Sequence, residues 1–152
     1  MSAGLSLSVA YAVPRRGIPA AASFRRWIAA ALSSERRRNT EIAVRIVGAR
    51  EGRALNRAYR GKDYATNVLS FPAELPSGVE LPLLGDLVIC APVVAREARE
   101  QGKPLAHHYA HLAIHGTLHL LGYDHENARD AESMESRERR VLATFDIPDP
   151  YA

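Results

Sequence analysis

The sequence predicts a single α+β domain over residues 1–152, a small mixed β-sheet of about four strands with about five helices packed on it. Three observations predict it. A length of 152 residues suits one ordinary core. Apolar residues make up 47% and charged residues 24%, the balance of a globular chain rather than a disordered one. Apolar residues recur with period two in some stretches and with helical period in others, with no internal repeat or low-complexity linker.

The elements follow in order. Residues 4–13 read as a strand, because Leu5, Leu7, Val9, Tyr11 and Val13 alternate with Ser6, Ser8, Ala10 and Ala12. A turn from Pro14 to Pro19 leads into a helix over 20–33, with Phe24, Trp27, Ile28, Ala31 and Leu32 on one face. Ile42, Val44 and Ile46 mark a strand over 41–47, and Leu55 and Tyr59 a short helix over 50–60. Gly61-Lys62-Asp63 ends that helix. Residues 67–71 form a short strand before a turn-rich excursion from Pro72 to Pro82. Residues 86–91 read as a strand whose run from Leu87 to Ala91 is unbroken apolar, which predicts a place in the middle of the sheet. Pro92 and Pro104 each open a helix, to about Gln101 and Leu121, since proline fits the first helical position. A last helix spans about 127–144.

Several classes are excluded or disfavoured. Leu5 to Val13 imitates a secretory leader, with Ala10-Tyr11-Ala12 as a cleavage site, but no positive charge precedes it and it alternates. No stretch approaches the ~20 apolar residues that cross a bilayer. The single cysteine, Cys90, excludes an intrachain disulfide or a cysteine-based zinc cluster, and reads as a buried, inert thiol. A reducing, cytoplasmic compartment is expected.

Net charge is only +3, but it is unevenly placed. Residues 1–62 hold 13 Lys and Arg against 3 Asp and Glu, or +10; residues 63–152 hold 7 against 14, or −7. Eighteen of the 20 basic residues are arginine, which grips phosphate bidentately. Either the N-terminal half meets a polyanion, RNA first among candidates, or it is a solvated basic face.

All six histidines fall between positions 107 and 125. His111, His115 and His119 are four apart and share a helix face. Two histidines at i and i+4 can bind one metal ion. Gly122 suits the left-handed position that ends a helix, so His125 can fold back toward His115 and His119. The resulting H-x3-H-x5-H spacing equals that of metzincin metalloproteases. Three imidazoles suit one Zn²⁺ per chain and leave a fourth position open, the mark of a catalytic site. Nickel and copper also bind imidazole. Gly116 stands where those proteases keep a glutamate base, which disfavours proteolysis and leaves room for a bulky substrate group. His107 and His108 read as helix-surface or core residues. His111 reads either so or as a residue behind the metal ligands.

The eleven residues from His115 to His125, HGTLHLLGYDH, resemble the signature of the YbeY family, bacterial rRNA-maturation endoribonucleases. Leu55-Asn56, Tyr59 to Asp63, Thr66 to Pro72 and Leu84 to Cys90 also resemble its motifs, so the likeness runs over about residues 40–145. It implies a zinc-dependent endoribonuclease of single-stranded RNA, acting in 16S rRNA 3′-end maturation and ribosome quality control. The small ribosomal subunit and its assembly factors are the implied partners. Its zinc ligands map onto His115, His119 and His125, and its functional arginine onto Arg60.

An arginine beside a metal clamps a phosphodiester and offsets transition-state charge, and Lys62 is a candidate second phosphate contact. Asp63, Thr66, Asn67 and Ser70 either line the cleft or order the backbone, the second being preferred. Asp124 and Asp86 are candidates to hold ligand imidazoles. No general base is evident, and water and the RNA 2′-OH stay open as nucleophiles. Two rivals remain: a non-catalytic rRNA-binding assembly factor with a structural zinc, and a metallopeptidase.

Overall fold

Alternation in the sequence becomes two-sidedness in the sheet. The structure, a computed structural model, describes residues 4–33, 39–79, 81–123 and 127–152. Strand β1 (Leu5–Tyr11) turns Leu5, Leu7, Val9 and Tyr11 inward and leaves the intervening residues exposed. Strand β2 (Thr40–Val47) buries Ile42, Val44 and Ile46. Strands β3 (Val68–Pro72) and β4 (Leu83–Cys90) complete a sheet of order β1-β2-β4-β3. The β1–β2 and β2–β4 pairs are parallel, and β3 runs antiparallel to β4 at one edge.

The expected central strand is indeed central, but it begins earlier than its apolar run. Leu83 to Gly85 extend the ladder with β2 through a register shift, and Gly85 also pairs with Pro72. Gly85 has φ +151, and a Cβ there would lie 2.4 Å from the Phe71 carbonyl oxygen. Only glycine fits so close an approach.

Five helices pack on this sheet: α1 (Ala21–Leu32), α2 (Ala49–Arg60), α3 (Ala91–Glu100), α4 (Leu105–Leu120) and α5 (Ala128–Ala143). Leu87 and Ile89 of β4 join Phe24, Ile28, Tyr109, Ile114, Leu118, Met134 and Leu142 in the main core, so α1, α4 and α5 cover one face. Val88 and Cys90 join Val47, Leu69 and Val93, with Leu55 of α2 against them on the other face. Phe24 sits edge-on to Trp27 at 5.5 Å and to Tyr109 at 6.0 Å, and locks α1 to α4. Burial pushes the Cys90 thiol up, and it stays a packed hydrophobe. No helix among the described residues is long and apolar enough to cross a membrane.

Candidate metal centre

Helix α4 is buried against the sheet, α1 and α5, and beyond its first turn one line of it reaches outward. From His108 to Leu120 every residue is buried except His111, His115 and His119. The four-residue spacing therefore coincides with the helix's single open edge. The His115 and His119 rings stand 5.0 Å apart, and those of His111 and His115 6.1 Å apart.

The helix ends as Gly122 requires. Gly122 has φ +102; its N–H donates to the His119 carbonyl, and that of Tyr123 to the Leu118 carbonyl, each at 3.0 Å. This pair of bonds is a Schellman motif, which reverses the chain immediately after the second histidine. His125 and Asp124 lie outside the described residues.

Glu138 of α5 is fully buried, and its Oε1 accepts a hydrogen bond from His115 Nδ1. The hydroxyl of Tyr151 donates to Glu138 Oε2 at 2.6 Å. His111 Nε2 lies 3.7 Å from Glu138 Oε1 and 3.3 Å from the Tyr151 hydroxyl. Burial pushes the Glu138 carboxyl up, but the facing His111 and His115 imidazoles and the Tyr151 hydroxyl pull it down further, to about 2. An ionised carboxylate only accepts, so His115 donates through Nδ1, and the ring's other nitrogen, Nε2, is the atom that a metal would take.

Two ligand sets thus share His115. Among the described residues His111, His115 and Glu138 bring ligand atoms within 4.8 Å of one another, so this cluster could hold a metal ion. The open line of α4 offers His115 and His119. The contact between Glu138 and His115 is that of a direct hydrogen bond. Glu138 fits better as the carboxylate that orients a ligand imidazole, as carboxylates behind metal-bound histidines commonly do.

The other expected residues separate. Asp86 alternates with Leu87 and so points to the sheet face opposite α4, near Arg45, Glu51 and Phe71; it is not among the histidines. Arg60 is exposed in the last turn of α2, and Lys62 is exposed in the turn after it. Both faces meet at edge strand β3. There Tyr59, next to Arg60, packs on Phe71 at 4.3 Å, while the Ser70 hydroxyl donates to the Gly116 carbonyl at 3.2 Å.

Gly116 corrects an expectation. It makes no room for substrate: a Cβ there would lie 2.8 Å from Leu87 Cδ2 and 3.3 Å from Ser70 Oγ. Glycine lets α4 approach the sheet closely. Asp63 forms a bidentate pair with Arg53 at 2.7 and 2.9 Å, and Asn67 donates to Glu97 at 3.0 Å. His108 is buried, with Nε2 2.8 Å from Glu97.

Glu138 and Tyr151 were not foreseen. Glu138 did leave a signal: it falls between Met134 and Leu142 in the apolar stripe of α5. A carboxylate in a core stripe needs buried partners. Tyr151 left none, because its contacts span 13 and 40 residues of sequence.

A small mixed sheet backed by a helix whose one open edge is a row of histidines defines an α+β protein with a potential metal centre. A solution structure of the Thermotoga maritima protein TM1509 shares this fold, with a TM-score of 0.60 over 93% of this chain and 91% of that one, at 23% identity. The Endoribonuclease YbeY family profile matches residues 16–146, and the chain belongs to that family. Proteins named Endoribonuclease YbeY from Stenotrophomonas maltophilia strain K279a and Xanthomonas axonopodis pv. citri are 65% and 64% identical, each over 97% of this chain and 94% of the relative. The chain is accordingly classed with the nuclease hydrolases.

Proposed function

We propose that this chain is a zinc-dependent endoribonuclease that cuts single-stranded RNA and acts in the cytoplasm in 16S rRNA 3′-end maturation and ribosome quality control. The names of its relatives support the nuclease reading. The observation that carries the metal reading is the open line of α4, where His115 and His119 stand side by side before a helix stop at Gly122.

In this reading His115, His119 and His125 hold the ion, with Glu138 fixing the His115 ring. A bound zinc supplies Lewis acidity, acidifying water and offsetting charge on a phosphoryl oxygen. Arg60 binds the scissile phosphate, and its guanidinium offsets the charge that develops there. Exposure suits this task, since the side chain can reach a flexible backbone. Lys62 adds a second phosphate contact. The arginine-rich N-terminal half holds flanking RNA by charge, so binding weakens as salt rises. The ribosomal small subunit and its precursor RNA are the partners this chemistry serves.

The test is cleavage of a labelled single-stranded RNA by zinc-loaded protein, by chelator-treated protein, and by His115→Ala. The proposal expects cutting by the first alone. Equal cutting by all three, or none by the zinc-loaded chain, would contradict it.

A further inference from the structure

The C-terminal segment comes back to the histidine row. Asp146 adopts φ +58 just after α5, and the Ile147 N–H donates to the Leu142 carbonyl at 3.1 Å, so the chain reverses along its own helix. Arg139 of α5 then clamps the segment through Asp149 at 2.9 Å, and Asp149 accepts from the Tyr151 N–H at 2.8 Å. The Tyr151 ring is held from two sides, edge-on to His111 at 5.4 Å and 5.5 Å from the Arg139 guanidinium. All of this places one hydroxyl on the second oxygen of Glu138.

The placement has a physical consequence. A buried carboxylate with one partner could pivot about that single contact. With Oε2 engaged by Tyr151, only Oε1 faces His115. Held through both oxygens, the carboxylate keeps one plane, and its Oε1 keeps an acceptor in front of His115 Nδ1. Burial and the Glu138 carboxylate push the Tyr151 hydroxyl well above the usual tyrosine range, so it stays a donor.

Resting on the three-histidine reading above, we propose that Glu138 and Tyr151 are positioning residues of the metal centre: the C-terminal segment holds Glu138, and Glu138 aims His115. The segment's contribution is to metal affinity and ligand geometry rather than to contact with RNA.

The test titrates zinc against a chromogenic chelator, using the full chain, Glu138→Gln and Tyr151→Phe, with Co²⁺ loading read by visible absorption. Glu138→Gln is expected to weaken zinc binding by roughly 10–100-fold and to change the cobalt spectrum. Tyr151→Phe, which keeps the ring and loses one hydrogen bond, is expected to weaken it by roughly five-fold. A merely structural role would lower Tm and leave affinity and spectrum alone, and that result overturns the proposal. Should Glu138→Gln fail to fold, Tyr151→Phe decides by itself. A parent chain that binds no metal would overturn the three-histidine reading as well; a parent that binds, with variants equal to it, overturns this proposal alone.

Discussion

Helices α4 and α2 lie on opposite faces of one sheet and carry the two halves of the proposed chemistry in opposite ways. On α4, burial does the selecting: between His108 and Leu120 only His111, His115 and His119 escape it. On α2 only Gly52 and Asn56 are buried, and Arg50, Arg53, Arg57 and Arg60 all face solvent. A metal needs ligands held to a fraction of an ångström, and a packed helix provides that. A mobile polyanion needs long charged side chains that adjust, and an exposed helix provides those. The α4 line is therefore expected to be rigid and intolerant, and the α2 surface forgiving of everything except Arg60.

The strongest way to break this contrast is His119→Ala. It removes a ligand from the rigid line, and zinc binding and RNA cleavage should both fall by more than the roughly 100-fold that a residue behind the ligands commands. Metal analysis and a cleavage assay on the same preparation check it.

Arg60→Ala should divide the two helices cleanly. Cleavage drops by about 100–1,000-fold, as for loss of one charge-stabilising donor. Zinc content and Tm stay at the parent values, because the side chain is exposed and buries nothing. A fall in zinc content would mean that the two halves are not separable.

Gly116→Ala tests the intolerance of α4. Alanine favours a helix over glycine by about 1 kcal/mol. Against this, the new methyl would meet Leu87 Cδ2 at 2.8 Å in a fully buried site, and overpacking costs about 1–3 kcal/mol. The second term wins, so Tm should drop by a few degrees. An unchanged or raised Tm would show that the helix–sheet seam has slack.

The smallest effect concerns pH. Burial pushes the His108 imidazole down, against the opposing pull of Glu97 at 2.8 Å. Its folded pKa thus lies below the unfolded value near 6.5. Between the two the unfolded chain binds the extra proton, so stability is complete above about pH 6.5 and is lost as pH falls through the folded value. Thermal unfolding of chelator-treated protein should show Tm declining below about pH 6.5. His108→Gln should flatten that decline, and an unaltered slope would refute the assignment.

Much of this was readable in the sequence, because it was local. The i, i+4 histidines and the helix-ending Gly122 need only helix geometry, and the strands and helices among the described residues follow from apolar patterning and from proline and glycine punctuation. What was hidden depended on distance or on packing. Asp86 was a candidate behind the ligands, yet its alternation with Leu87 sends it to the far face. Gly116 invited a substrate argument, while only the seam between α4, Leu87 and Ser70 explains it. Glu138 and Tyr151 reach the histidines from α5 and the C-terminal segment, which no local pattern could announce.

The most direct measurement is X-ray absorption at the zinc edge of the loaded chain, with metal content determined in parallel. The account predicts one zinc per chain with three imidazole nitrogens at about 2.0–2.1 Å. Loss of one imidazole is expected in each of His115→Ala, His119→Ala and His125→Ala. A first shell that includes the Glu138 carboxylate and loses a nitrogen in His111→Ala would contradict it, and would move the centre to the His111, His115 and Glu138 cluster.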